Sequence, residues 1–237
     1  MITFFHNYLY EPLLNFLIYL YHNFSLGDFG VAVILLTLII RVVLLPIFYK
    51  SSRDQAIMQK IAPKLKEIQR IHKEDKEKQI QATLELYREH KVNPFSSFIL
   101  LFIQFPILIV LFYIFSSGFQ AIPGINTSFL GLIDLAKPNF ILVVVTAIAQ
   151  YYQSKLMIPK TDKQFKNLST QEKMSRQMVF IGPIVTLIIF MRLPSALALY
   201  WLTTSVFSVI QQIIINKKIN INQEVKKEEI KLEHGKK

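Results

Sequence analysis

The 237-residue chain contains no cysteine, which excludes disulfides, thiol catalysis and Cys-ligated metals. It also lacks the signatures of the commoner enzymatic chemistries: no HExxH, no GxSxG, no P-loop and no GxGxxG. The histidines, His6, His22, His72, His90 and His234, all lie outside the long apolar runs, so no Ser–His pair can form within those runs. There is no internal repeat. The first 24 residues carry neither a basic n-region nor a small-residue cleavage site, which argues against a removed signal peptide. These absences point away from catalysis: no catalytic residue, cofactor or metal is expected.

What the chain has in abundance is apolar side chains, 52% of the total, with a mean hydropathy of +0.36. They collect in long runs between charged stretches, the pattern of a polytopic membrane protein. Five runs qualify: Phe29–Tyr49, Phe95–Phe115, Phe140–Met157, Met178–Met191 and Ser195–Ile215. With their flanks they predict membrane spans over 28–49, 95–117, 138–157, 177–192 and 195–216. The fourth is short for a bilayer core that needs about 20 residues, and it contains Pro183. Ahead of them, Phe5, Leu9, Leu13, Phe16, Leu17, Leu20 and Phe24 recur at helical spacing but are interrupted by Asn7, Glu11, Asn15, His22 and Asn23. Residues 1–27 therefore read as an extracytoplasmic amphipathic helix in the interface, with a short extra span as the alternative.

The formal net charge of +11 is distributed by loop. Eleven Lys and Arg lie in Lys50–Lys91, six in 155–176 and seven from Lys217 onward, 24 of the 27 in all. Only Lys137 and Arg192 fall on the opposite side. The positive-inside rule then places loops 50–94 and 158–176 and the tail 217–237 in the cytoplasm, with the N-terminus and loop 118–137 outside. Within 50–94, Ile57, Ile61, Leu65 and Ile68 recur at helical spacing, as do Ile80, Leu84 and Tyr87, separated by the charged break 72–76. Two amphipathic helices in a hairpin are expected, the first bent at Pro63. The Lys/Glu-rich tail reads as disordered. The expected class is thus an all-α integral membrane protein: a five-transmembrane-helix core, a cytoplasmic helical hairpin and an N-terminal interfacial helix.

Arg41 is the exceptional residue. It lies nine positions before Lys50, about 13 Å from the cytoplasmic edge at 1.5 Å per residue. An Arg near a span centre costs roughly 2.5–3.5 kcal/mol on insertion scales. The five apolar runs contain no Asp or Glu to pair with it. Neutral polar groups and water must then solvate it, which implies a hydrated cavity. Candidate groups stand in helical register: Thr37 one turn from Arg41; Thr146, Gln150 and Gln153; Tyr200, Thr204, Ser208 and Gln211; and Gln104 just before Pro106. Each could instead be interhelical packing glue, worth about 0.6 kcal/mol per contact.

Several stretches resemble the YidC insertase family, in order along the chain. Leu36-Thr37-Leu38-Ile39-Ile40-Arg41 followed by Leu45-Pro46 looks like the first core helix, and Met58–Ile68 is similar to the cytoplasmic hairpin. Leu86–Pro94 resembles the exit into the second core helix, and Ile103-Gln104-Phe105-Pro106-Ile107 its Gln-x-Pro-Ile stretch. Gln153-Ser154-Lys155-Leu156-Met157 resembles the end of the third helix. Leu193–Trp201 with Gln211-Gln212 resembles the fifth, where Ser195-Ala196 replaces the family's usual glycine. Leu9–Leu13 resembles the interfacial helix before the core. The chain has neither the large extracytoplasmic domain of Gram-negative members nor the lipoprotein Cys of many Gram-positive ones, and looks like a short bacterial form.

The resemblance implies a chaperone and insertase in the bacterial cell membrane, with a hydrophilic groove open to cytoplasm and lipid. Clients would be nascent membrane proteins, handled alone or beside the Sec translocon, with the ribosome, signal recognition machinery and lipid bilayer as further partners. Family groove positions carry over to Thr37, Arg41, Gln104, Gln153, Tyr200 and Trp201. Outside this resemblance, a small-anion transporter or channel and a lipid scramblase fit the same lone cation.

Overall fold

The computed structural model describes residues 5–117, 124–158 and 170–234. Parts of the expected loops 118–137 and 158–176 lie outside them. The described chain is almost wholly helical: α1 Glu11–Asn23, α2 Phe29–Val43, α3 Leu45–Ile71, α4 Lys76–Glu89, α5 Ser96–Ser117, α6 Phe140–Leu156, α7 Thr170–Phe190 and α8 Ser195–His234. A two-stranded antiparallel ribbon, β1 Ser128–Phe129 and β2 Ile133–Asp134, interrupts the series, with Ser128 opposite Asp134 and Phe129 opposite Ile133.

Local chemistry sets the helix ends. A π-turn at His6–Tyr10 runs into α1 just before Pro12, which has no N–H to continue an ordinary ladder. Asp28, in extended conformation, caps α2 by accepting the Val31 N–H at 2.9 Å. Asn139 does the same for α6 through the Leu142 N–H, also at 2.9 Å. The helix expected to run unbroken to Tyr49 stops at Leu44, and α3 begins at Leu45. The cause is Pro46: in a continuous helix its ring would strike the Val42 carbonyl and its missing N–H would leave that carbonyl unpaired. By length and composition Ser195–Lys218 can cross a bilayer, and the broken α2–α3 pair adds a second crossing if counted as one span. Phe102–Ser116, Phe140–Leu156 and Arg176–Phe190 are shorter apolar helices.

The chain divides into two compact units. The first is Met1–Leu45 with Leu101–Val209. Its core includes Leu17, Leu20, Phe29, Leu36, Leu111, Phe115, Val143 and Leu197, all nearly inaccessible. The loop between α5 and α6 is tied to this core. Its Leu135 and Lys137 carbonyls accept the Ala196 and Ser195 N–H groups at 3.1 and 3.0 Å, satisfying donors at the start of α8 that have no intrahelical partner. Phe129 lies against Gly30, where a Cβ would stand 2.0 Å from its ring, so only glycine lets the ribbon seat on α2.

The second unit is Pro46–Leu100 with Ile210–Lys237. Here α3, α4 and the turn after α4 pack through Ile61, Leu86 and Val92, supported by Ile57, Leu65, Ile68 and Tyr87. The expected disordered tail is helical to His234. Glu, Lys, Gln and Ile are adequate helix formers, and Glu224, Lys227, Glu228 and Lys231 recur at three- and four-residue spacing. A shortage of apolar side chains rules out a core, not a helix.

Candidate functional site

Arg41 projects from the last turn of α2 and is 5% exposed. Tyr200, on the first turns of α8, is 2% exposed, and its hydroxyl lies within electrostatic reach of the guanidinium. Gln104 on α5 donates a hydrogen bond from Nε2 to that same hydroxyl. Gln104 and Tyr200, far apart in sequence, thus meet at one phenolic oxygen, with Arg41 within electrostatic reach of it. Thr204, one turn beyond Tyr200, brings its hydroxyl near the same oxygen without a well-formed bond. The Ser205 hydroxyl is also buried without a hydrogen-bond partner. An unmatched buried hydroxyl costs about 1–3 kcal/mol, which makes this stretch of α8 receptive to water or a polar ligand.

The other expected groove residues divide. Thr37 is buried one turn from Arg41, but its hydroxyl donates to its own helix, to the Val33 carbonyl at 2.6 Å. Trp201 follows Tyr200 and therefore points about 100° round the helix. Its ring meets Phe190 at 5.8 Å and lines a cleft of about 330 Å³ with Leu108, Phe112, Val185 and Leu197. Gln153 is half-buried on α6. Thr146 and Gln150 serve as packing glue: Thr146 donates to the Ala198 carbonyl at 3.1 Å, and Gln150 accepts from the Thr186 hydroxyl. In this conformation the Arg41 side chain is covered by protein. A cleft that is open among the described residues is apolar and is lined by Trp201.

Two features escaped the sequence reading. Gly182, ahead of Pro183, admits the Gln150 amide: a Cβ there would stand 3.1 Å from Nε2. A Gly-Pro pair inside an apolar run was the available signal. Asp54, a carboxylate within the charged segment 50–94, is 1% exposed. Its Oδ2 accepts from the Ser96 hydroxyl at 2.6 Å and the Asn93 N–H at 3.4 Å, and Arg53 stands 3.7 Å from Oδ1. Nearby in the same unit, Ser51 donates to the Ser96 carbonyl at 2.9 Å and Gln211 donates to Ser52 at 3.2 Å. No periodicity distinguishes a buried carboxylate from its exposed neighbours.

The family model described as 60Kd inner membrane protein matches residues 19–224. The chain belongs to the 60Kd inner membrane protein family. Among its relatives is the Fusobacterium nucleatum protein named membrane protein insertase YidC, 37% identical over 216 residues, covering 90% of this chain and 98% of that one. A Clostridium tetani protein of the same name is 38% identical over 190 residues, 80% of this chain and 82% of its own. A longer one from Geobacter sulfurreducens is 32% identical over 214 residues, 89% of this chain and 37% of its own. Apolar residues of α6 to α8, such as Ile141, Ile148, Ile188 and Ile213, are exposed on the protein surface. In water, so much exposed apolar surface would be an aggregation liability.

Proposed function

We infer that the chain is a membrane protein insertase, which receives nascent membrane proteins and releases their hydrophobic helices into the bilayer of a bacterial cell. The observation that carries this reading is its near end-to-end match to a relative bearing that name. The physical case is consistent with it. Moving a polar segment through hydrocarbon is opposed by the desolvation of its backbone and charges. A polar cluster partway through the bundle shortens that path, and the apolar helix then leaves sideways into lipid by favourable transfer.

On this reading the five apolar helices form the core, with the N-terminus outside and the C-terminus in the cytoplasm, as the loop charges favour. Arg41, Tyr200 and Gln104 are the polar end of the client path, with Thr37 and Gln153 beside it. Trp201 marks its apolar side. Because Arg41 is covered at rest, client entry includes displacing what covers it. Arg41 then attracts acidic residues of the client's leading segment, and the membrane potential assists their outward movement. The hairpin 50–94 is a docking element for the client or the translocation machinery. The basic tail is a contact for ribosomal RNA or anionic lipid.

The test is reconstitution of the purified protein with a short acidic-tailed client, scored by protease protection. Wild-type protein is expected to protect the client, Arg41→Lys to retain most of that activity, and Arg41→Ala to lose it by tenfold or more. No protection by wild-type protein would count against the insertase reading itself. Full activity of the alanine variant would remove Arg41 from the path for that client.

A further inference from the structure

At the end of the first unit where α2 begins, two loop tips carry unusually exposed leucines. Leu26 is fully exposed, Leu130 is 65% exposed and Leu132 84%. Leu26 and Leu130 also sit at φ of +54° and +52°, a left-handed region that branched side chains seldom occupy. Each is followed by a glycine in the same region, Gly27 and Gly131. Exposed turns of this kind ordinarily carry Gly, Asn or Asp, so leucine here answers to something other than backbone comfort or water.

The two tips are held together. Asp28 accepts the Val31 N–H on one carboxylate oxygen and the Leu130 N–H on the other, so the residue that caps α2 also tethers the ribbon. Phe129, next to Leu130, is seated on Gly30. Backbone donors beside the tips are bonded internally: Leu130 to Asp28, Leu132 to the Phe129 carbonyl at 3.0 Å, and Asp28 to the Ser25 carbonyl at 3.0 Å. Each such bond lowers the cost of placing a non-helical turn next to hydrocarbon. The ribbon is also graded in polarity. Its tip is leucine, while its open end carries Asp134, bonded by Thr127 at 2.8 Å and paired with Lys137 at 3.0 Å.

We propose that Leu26, Leu130 and Leu132 form an apolar anchor that dips into the lipid leaflet at the α2 end of the molecule. Lipid is the occupant because the tip stands at the end of an apolar helix and beside exposed aromatic rings. Leu26 lies three residues before Phe29, the first residue of an apolar helix. On its other side it adjoins Phe24, which packs on Tyr19 at 5.8 Å; both rings are more than half exposed. Exposed aromatic side chains of this kind favour the membrane–water boundary. The anchor fixes the level at which α2 and the ribbon meet the membrane. The inference rests on the membrane reading above only in taking α2 as a span.

The cysteine-free chain makes the test direct. Leu26→Cys, Leu130→Cys and Leu132→Cys are each labelled with an environment-sensitive fluorophore and the full chain is reconstituted in phosphatidylethanolamine/phosphatidylglycerol vesicles. Quenching by a nitroxide on the upper acyl chain is compared with quenching by aqueous iodide. Lys137→Cys is the control at the charged end and Ile148→Cys the lipid-facing control on α6. The tip labels are expected to be quenched at least threefold more by the lipid nitroxide than the Lys137 label, and shielded from iodide. Tip labels as open to iodide as Lys137, with Ile148 lipid-quenched, overturn the anchor and leave the membrane reading intact. If Ile148 is aqueous as well, both fall. Tip labels that are aqueous in vesicles but shielded in native membranes would assign the surface to a partner protein and overturn the lipid assignment.

Discussion

The two units are held together by different means. Among the described residues, the main hydrophobic cluster of Met1–Leu45 with Leu101–Val209 contains twenty buried side chains, whereas that of Pro46–Leu100 with Ile210–Lys237 contains three. The second unit relies on polar contacts instead: Asp54 with Ser96 and Asn93, Ser51 with the Ser96 carbonyl, and Gln211 with Ser52. The contrast shows where adaptability lies. A bundle packed by close apolar contact has little room to rearrange. A pair of amphipathic helices over a small core opens at a low free energy, as docking elements do.

The sharpest way to break this contrast is to damage the well-packed unit at its tightest point. Gly30→Leu forces atoms into the Phe129 ring and is expected to destabilise the first unit by about 3 kcal/mol, read as a lowered thermal midpoint in detergent. Phe129→Ala in the same chain should recover part of the loss by making room, and no recovery would show that the ribbon is not what Gly30 accommodates. Next, Leu86→Ala removes one of the three side chains of the second unit's main hydrophobic cluster and should cost about 2–3 kcal/mol. The loss should appear as faster amide exchange in α3 and α4 with α6 unchanged; loss of protection in both units alike would erase the distinction between them.

Asp54→Ala is expected to cost about 2 kcal/mol by stranding the Ser96 hydroxyl and the Asn93 N–H. It is checked by amide exchange at the start of α5, with Asp54→Asn falling between the two. Tyr200→Phe should cost about 1 kcal/mol by leaving the Gln104 amide without its acceptor. A double-mutant cycle with Gln104→Leu measures the coupling, and a coupling near zero would mean that the two residues do not act together. The smallest effect is that of pH on α4. The Lys78 backbone N–H and ammonium hold the Asp75 carboxyl below its ordinary value. A depressed folded value means that this contribution is present above the unfolded value of about 3.9 and is lost as pH falls through the folded one. Amide exchange at Lys76–Lys78 should therefore rise below about pH 4 while that of α6 does not.

The sequence was most readable where one periodic signal spoke for a whole segment. The apolar runs announced the helices around Phe29, Phe140 and Ser195, because burial or lipid contact demands the same side chains at every turn. The break at Leu44 was legible in Pro46 but was overridden by the hydropathy of the run. The tail was misread because low apolar content excludes a core without excluding a helix. At the site, Arg41 stood out because a charge in an apolar run is conspicuous by itself. Its meeting with Tyr200 and Gln104 was only one of several arrangements that the polar stripes allowed. Thr146 and Gln150 had the same spacing signal and proved to be packing bonds.

The sequence alone determined the helical character, the segregation of charge, the absence of cysteine and the placing of Arg41 deep in an apolar run, since each is a property of composition and period. Only the tertiary structure decided that Arg41 is covered, that Trp201 faces an apolar cleft, that Asp54 is buried and that Asp28 joins two leucine tips. Those facts depend on which side chains from distant segments meet, and one-dimensional spacing carries a helix's own faces but not the identity of the neighbour each face finds.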